Sequence, residues 1–241
     1  MTGTPSPADF ISYHATVFRL VEAQHRISTS RLTDSLTDEE RLELLIEQAK
    51  PPLPDKARGL HYLLATPFRY GHRSASRFRK AGDRPGIFYA SESAATCITE
   101  MAYWRMRFFA SSPHALLPTT TTEYLMFTIG LAVDRGLDLT RPPFLKRRSK
   151  WVDKRNWDAC QQFGALARGL DTQLIRYESA RDEKGGINIA LFDPECFTAP
   201  VPSSAGTWHF RFQAQRLVVL GASPSPDRYQ FEFGRFGITR P

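Results

Sequence analysis

Cysteine is scarce in this sequence: Cys97, Cys160 and Cys196 are the only three among 241 residues. An odd, widely spaced set offers neither a disulfide framework nor a zinc-ligand spacing, and it suits a reducing compartment. The six histidines (14, 25, 61, 72, 114 and 209) form no H-x-x-x-H or H-E-x-x-H pattern, so no metal site is expected. No apolar run reaches the length of a membrane span. The opening residues, MTGTPSPADF, lack a basic leader and an apolar core, which predicts no signal peptide and a cytoplasmic protein. Phosphate-cradling loops are missing too. Neither G-x-G-x-x-G after a strand nor G-x-x-x-x-G-K-[ST] occurs, so Rossmann and P-loop binding are unsupported. Without G-x-S-x-G, or a cysteine beside an evident base, a nucleophile-based hydrolase has no starting point.

What the sequence does carry is positive charge, with a net charge of +7 and a pI near 9.5. Such a balance suits nucleic acid, a smaller phosphate-bearing ligand or an acidic protein partner. The densest cluster is Lys146, Arg147, Arg148, Lys150, Lys154 and Arg155. Aromatic residues do not interleave with it regularly, and no helix-turn-helix or RNA-recognition signature accompanies it. A solvated face is therefore the reading for this run, and direct nucleic-acid contact is not expected.

Apolar spacing at Phe10, His14, Val17 and Val21 predicts a first helix over 8–28. T37-D-E-E40 has the form of a capping box, followed by a stripe of Leu42, Leu45, Ile46 and Ala49 that P51-P-L-P54 terminates. Residues 1–57 thus read as a helical N-terminal extension, and 58–241 as the chemistry-bearing domain. In the latter, 61–70 and 86–90 read as strands separated by an arginine-rich loop. Ser91 or Ser93 caps a helix over 93–110, whose stripe is Ala94, Cys97, Ile98, Met101, Trp104 and Phe108. Strands are expected at 123–133, 172–179, 187–193, 207–221 and 227–234, with a helix over 153–169. Many strands and few helices after residue 60 argue for an α+β fold.

Candidate chemistry is distributed rather than packed into one motif. In S76-R-F-R79, an extended backbone puts Arg77 and Arg79 on one side, where two guanidiniums suit a pyrophosphate; simple surface arginines are the alternative. Tyr89 ends an apolar strand and can stack on a planar ring, or sit as a core-edge tyrosine. Glu100, at the edge of the apolar helix stripe, either pairs with Arg105 or stabilises cationic charge. Alternation places Ile175, Tyr177 and Ser179 on one face, and Asn188, Ala190 and Phe192 on one face of the next strand. Ser179 and Asn188 then either converge on a small polar ligand or serve turn chemistry around the flexible Gly185–Gly186 turn.

Together these stretches resemble the RES-domain family, named for its Arg, Glu and Ser. The family's first block pairs an aromatic residue with Arg, then runs G-x-R-[aromatic]-N-x-x-G, an apolar strand ending in Tyr, and a helix with Glu eleven residues on. Here it reads F68-R-Y, S-R-F-R-K-A-G82, G-I-F-Y-A-S and T-C-I-T-E100. The second block, [YP]-x-S-x-R followed by G-x-N and three apolar residues, is matched by Y177-E-S-A-R181 and G186-I-N-I-A-L-F192. The resemblance covers roughly residues 60–222. Ser76 stands where the family has Gly, Arg79 where it has Asn, and the arginine-to-tyrosine spacing is two residues longer. Gly82 keeps the family distance from Arg77, which favours Arg77 over Arg79 as the phosphate contact.

The resemblance implies an ADP-ribosyltransferase-like α+β core of mixed and antiparallel sheet. It implies a bacterial toxin that degrades NAD+ at the nicotinamide–ribose bond, with water or inorganic phosphate as acceptor and no cofactor. Glu100 would stabilise the growing positive charge, Tyr89 would pack on the nicotinamide or its ribose, and Ser179 would bond the carboxamide. Arg69 and Arg77 would hold the pyrophosphate, with Arg79 beside them and Asn188 in support. The implied partner is an Xre-type antitoxin whose tail enters the cleft; self-association and a toxin–antitoxin hetero-oligomer both stay open. An ADP-ribosyltransferase acting on a protein or nucleic acid is the first alternative, and a non-enzymatic basic binding module the second.

Overall fold

The computed structural model describes residues 3–23, 32–71, 73–111 and 116–239. Among the described residues, eight strands form one mixed sheet. They are β1 (Ile11–Glu22), β2 (Phe88–Ser91), β3 (Thr122–Asp138), β4 (Leu174–Glu178), β5 (Ile187–Leu191), β6 (Ser203–Gln213), β7 (Arg216–Gly221) and β8 (Arg228–Glu232). Five helices pack around it: α1 (Leu36–Ala49), α2 (Tyr62–Arg69), α3 (Ala94–Ala110), α4 (Arg148–Trp151) and α5 (Asp158–Gly169). The strand order β1-β2-β5-β4-β3-β6-β7-β8, with β1 also paired to β3, closes the first five strands into a ring of pairings. Only β3 and β4 run parallel; the other pairs are antiparallel. The fold is α+β, as the strand-rich sequence after residue 60 implies.

The strand period sorts the core. Val17, Phe88, Phe127, Ile129, Leu131, Leu174, Ile189 and Leu191 form one buried cluster, which Leu64 and Phe68 of α2 join. Residues of opposite parity on the same strands build two others. Leu20, Tyr124 and Met126 meet Ile98, Ala102 and Met106 of α3. Ile175, Tyr177 and Ala190 meet Phe163 of α5 and Phe78 of the arginine-rich loop. Helices α3 and α5 thus take the other face of strands whose alternate side chains fill the first cluster.

Three expected elements are different in the structure. Residues Ile11–Glu22 are a strand, not a helix, and pair with β3 from Tyr13↔Val133 to Glu22↔Tyr124. A spacing of four residues fits a helical turn, but it is also a multiple of two. Here β-branched and aromatic side chains, with β3 as a full-length partner, decide for the strand. The front section is therefore not wholly helical; the part of that expectation over 24–28 lies outside the described residues. Residues Tyr62–Arg69 are a helix, not a strand: Nδ1 of His61 accepts from the Leu63 amide, and Leu64, Ala65 and Phe68 bury one side. A short apolar run fits either state, and the face it must cover settles which. Helix α1 forms and stops before P51-P-L-P54 as expected, but its cap is Ser35, whose hydroxyl accepts from the Asp38 amide. Its stripe does not pack: α1 has no buried residue, and Leu45 is 59% exposed.

The later elements follow the reading closely. Ser93 caps α3 through the Thr96 amide. The α3 stripe is narrower than expected, with Ile98 and Met106 fully buried and Trp104 and Phe108 turned outward. Expected strand 207–221 is the β6–β7 hairpin. Among the described residues, no helix is long and apolar enough to cross a membrane.

Candidate active site

Tyr89 and Ser91 of β2, Tyr177 of β4 and Asn188 of β5 line a cavity of about 300 Å³. Ser91 of β2 lies opposite Asn188 of β5, which lies opposite Tyr177 of β4. Two residues along, on the same face, Tyr89 lies opposite Ala190, and Ala190 opposite Ile175. Helix α3 supplies one wall with Glu100, Met101 and Trp104; Arg77 and Trp157 supply another. The alternation read from the sequence is what puts Tyr177 and Asn188 on a common face.

Glu100 is clamped on a single oxygen. Its Oε1 accepts from Ser179 Oγ at 2.6 Å and from Asn188 Nδ2 at 2.6 Å. Asn188 is itself fixed, because its Oδ1 accepts from Ser91 Oγ at 2.7 Å. No protein donor among the described residues is bonded to Oε2, so that oxygen is left for a bound molecule. The alternative partner, Arg105, is elsewhere: it donates to Thr122 and to Tyr124.

Ser179 is saturated. Its one proton goes to Glu100, and its oxygen accepts from the Arg181 amide at 3.1 Å and the Asp182 amide at 3.0 Å. The turn-chemistry reading of Ser179 accounts for its two amide contacts, while its proton goes to the carboxylate. A bond to a substrate carboxamide would cost one of these three. The following turn is tightly built. Gly185 has φ of +74°, and a Cβ on Gly186 would lie 2.0 Å from Thr96 Oγ1 and 2.3 Å from Asp182 Oδ2. Those two groups bond each other at 2.8 Å, tying the turn to the start of α3.

The arginines do not converge as expected. Ser76 and Arg79 close a tight turn through paired backbone hydrogen bonds, so S76-R-F-R79 is not extended. Phe78 is buried between the two arginines' divergent paths. Arg77 lines the cavity, with Nη1 donating to the carbonyls of Trp151 at 2.7 Å and Asp153 at 3.1 Å. Arg79 is buried and donates to the carbonyls of Ser74 and Lys80. It lines a second cavity of about 760 Å³. Arg69 reaches neither: it donates to Glu47 and to the Pro51 carbonyl, both at 2.6 Å, and ties α2 to α1. The phenol of Tyr89 pairs with Ser76 Oγ at 2.8 Å and accepts from the Phe78 amide at 3.3 Å. Burial raises its pKa, with Ser76 and that amide opposing.

The cation that sequence reasoning missed is Arg19 of β1. It lines both cavities, stacks 4.7 Å over Phe88 and donates from Nη1 to the Tyr89 carbonyl at 2.6 Å. Its Nε is buried without a partner, and burial pulls the guanidinium down to about 10. Among the described residues it forms no ion pair with a carboxylate, so it is a buried cation that a nearby anion would stabilise. The available signal was one arginine inside the apolar run V17-F-R-L-V21. Arg181, quoted in the second motif but given no role, stacks 3.6 Å over Tyr103 and donates to the Lys154 carbonyl. Trp104 and Trp157, centroids 6.0 Å apart, complete an aromatic lip.

Fold and site define an α+β protein with one clamped carboxylate in an arginine- and aromatic-walled cavity. The chain belongs to the RES-domain family, whose model matches residues 53–213. Among solved structures it is similar to a chain in the crystal structure of the M. tuberculosis MbcT–MbcA toxin–antitoxin complex. That match has 18% identity and a TM-score of 0.48, and covers 82% of this chain and 85% of that one. No curated protein matches the chain. The family match begins after β1, so Arg19 lies outside it.

Proposed function

We propose that this protein degrades NAD+ by cleaving the nicotinamide–ribose bond, and that it is a toxin restrained by an Xre-type antitoxin. The observation that carries the reading is the Glu100 carboxylate, held on Oε1 by Ser179 and Asn188 with Oε2 left to the cavity. Membership of the RES-domain family supports it.

The nicotinamide of NAD+ is a pyridinium. When the C–N bond breaks, its electron pair leaves with the ring, which departs neutral and needs no proton. One carboxylate then suffices where cleavage of an oxygen glycoside employs two. Positive charge grows on the ribose, and Glu100, already fixed in place, stabilises it without reorganising. Water yields ADP-ribose and a proton; inorganic phosphate yields the phosphorylated sugar. Tyr89 packs on the leaving ring or its ribose. Ser179 acts through Glu100 as a positioning residue rather than by bonding the carboxamide.

Arg19 replaces Arg69 in holding the pyrophosphate, together with Arg77. The two cavities share Arg19, Ser76, Tyr89 and Trp104. The smaller takes the nicotinamide riboside end and the larger, beside Arg79, the adenosine end. An acidic antitoxin segment complements the basic surface and the aromatic lip.

The test is incubation of protein purified free of antitoxin with NAD+, with and without phosphate, following products by NMR. Nicotinamide release is expected, and the phosphate arm identifies the acceptor. No release in either arm overturns the proposal, and ADP-ribose attached to a macromolecule would instead define a transferase.

A further inference from the structure

A separate cavity of about 480 Å³ lies where α5 and β5 meet the segment before β2. Its lining holds three acids and three cations, but of those cations only Lys56 is paired with one of the acids. Each lining acid already has a cation: Asp193 pairs with Lys56 at 3.1 Å, Asp55 with Arg58 at 2.8 Å and Asp171 with Arg135 at 3.5 Å. The lining arginines, Arg84 and Arg168, form no ion pair among the described residues. Arg168 uses only Nη2, donating to the carbonyls of Pro85 at 2.9 Å and Gly86 at 3.5 Å. Burial lowers its pKa, an effect that nearby Tyr89 and Asp83 only partly offset.

Two further features point to a ligand. Thr172 lines the cavity, is 3% exposed, and carries a hydroxyl with no hydrogen-bond partner. A buried hydroxyl left unpaired costs free energy that a bound oxygen would recover. Arg168 is held in place, stacked 4.6 Å over the buried Phe192 ring, and Pro85 and Pro194 line the same cavity.

We propose that this cavity binds the phosphate group of a small molecule, with Arg84 and Arg168 as its cations and Thr172 as a hydrogen-bonding partner. Guanidinium forks match phosphate oxygens in pairs. The site is independent of NAD+ cleavage and of Glu100.

The experiment titrates isotope-labelled full-length protein with inorganic phosphate and, separately, with phenyl phosphate, reading amide shifts. Saturable shifts at Gly86, Thr172 and Phe192 are expected. Arg84→Ala, at an exposed position, should weaken binding roughly 10-fold, and Thr172→Val several-fold. Tighter binding of phenyl phosphate assigns the site to an aryl or nucleoside ester, equal binding to free phosphate; both uphold it. Shifts confined to Ala90, Met101 and their neighbours, no saturation, or affinities unchanged in both variants overturn it.

Discussion

Replacing Glu100 by Gln separates the charge of the carboxylate from its shape. In the variant, Gln Oε1 accepts the same two hydrogen bonds from Ser179 and Asn188, and the new amide nitrogen takes the position of Oε2, which no protein donor occupies. The fold therefore loses only charge assistance, from about 1.5–3 to about 0.5–1.5 kcal/mol per bond. Relief of holding a half-buried charge offsets part of that loss. A net change within about 1 kcal/mol corresponds to a Tm shift of no more than about 4 °C for a chain of this size. Catalysis responds differently, because a fixed charge opposite a growing cation is worth about 2.7–4 kcal/mol. We expect kcat for nicotinamide release to fall about 10²–10³-fold with KM little changed, measured by NMR or HPLC alongside thermal unfolding. Wild-type turnover in Glu100→Gln would refute the role. A Tm drop beyond about 10 °C would show that the carboxylate serves the fold instead.

Arg19→Ala removes the cation common to both cavities, so KM for NAD+ should rise roughly 10–100-fold and become less sensitive to salt, read from turnover at two ionic strengths. Ser179→Ala strips the acceptor from the Arg181 and Asp182 amides as well as the donor to Glu100. It should cost about 2–4 kcal/mol in denaturant unfolding, far more than Glu100→Gln. Burial pushes Cys97 and Cys196 up to about 12 and raises Cys160 as well. At pH 8 their thiolate fraction is then very small, and the native protein should react with a thiol reagent roughly a thousandfold more slowly than the denatured chain.

The β4–β5 hairpin was legible because its two strands alternate cleanly, with Ile175, Tyr177 and Ser179 on one face of the first and Asn188, Ala190 and Phe192 on one face of the second. Helix α3 was legible from its cap and stripe. The front of the chain was not, because Val17 and Val21 satisfy both periods and only the distant β3 selects between them. The exposed leucines of α1 show the converse: an apolar stripe predicts a helix but does not supply a surface to bury it against. At the site, Glu100, Ser179 and Asn188 were named as candidates, and the structure brings the three side chains into contact. Their mutual bonds were not visible, since Ser179 reaches Glu100 only after a turn brings residues far apart in sequence within 2.6 Å. Arg69 was implied by the match of F68-R-Y to the family's first block, whereas Arg19 stands on β1, far from that block in sequence, and the ring of strand pairings brings it to the cavity.

That ring also orders events during synthesis. β1 is made early, yet its partner spans residues 122–138, and the two donors to Glu100 stand at 179 and 188. A chain still short of residue 188 has its acidic residue but neither complete clamp nor finished lining. The cavity is therefore assembled late, and a ribosome-bound nascent chain lacking β5 should be inert toward whatever the completed protein consumes.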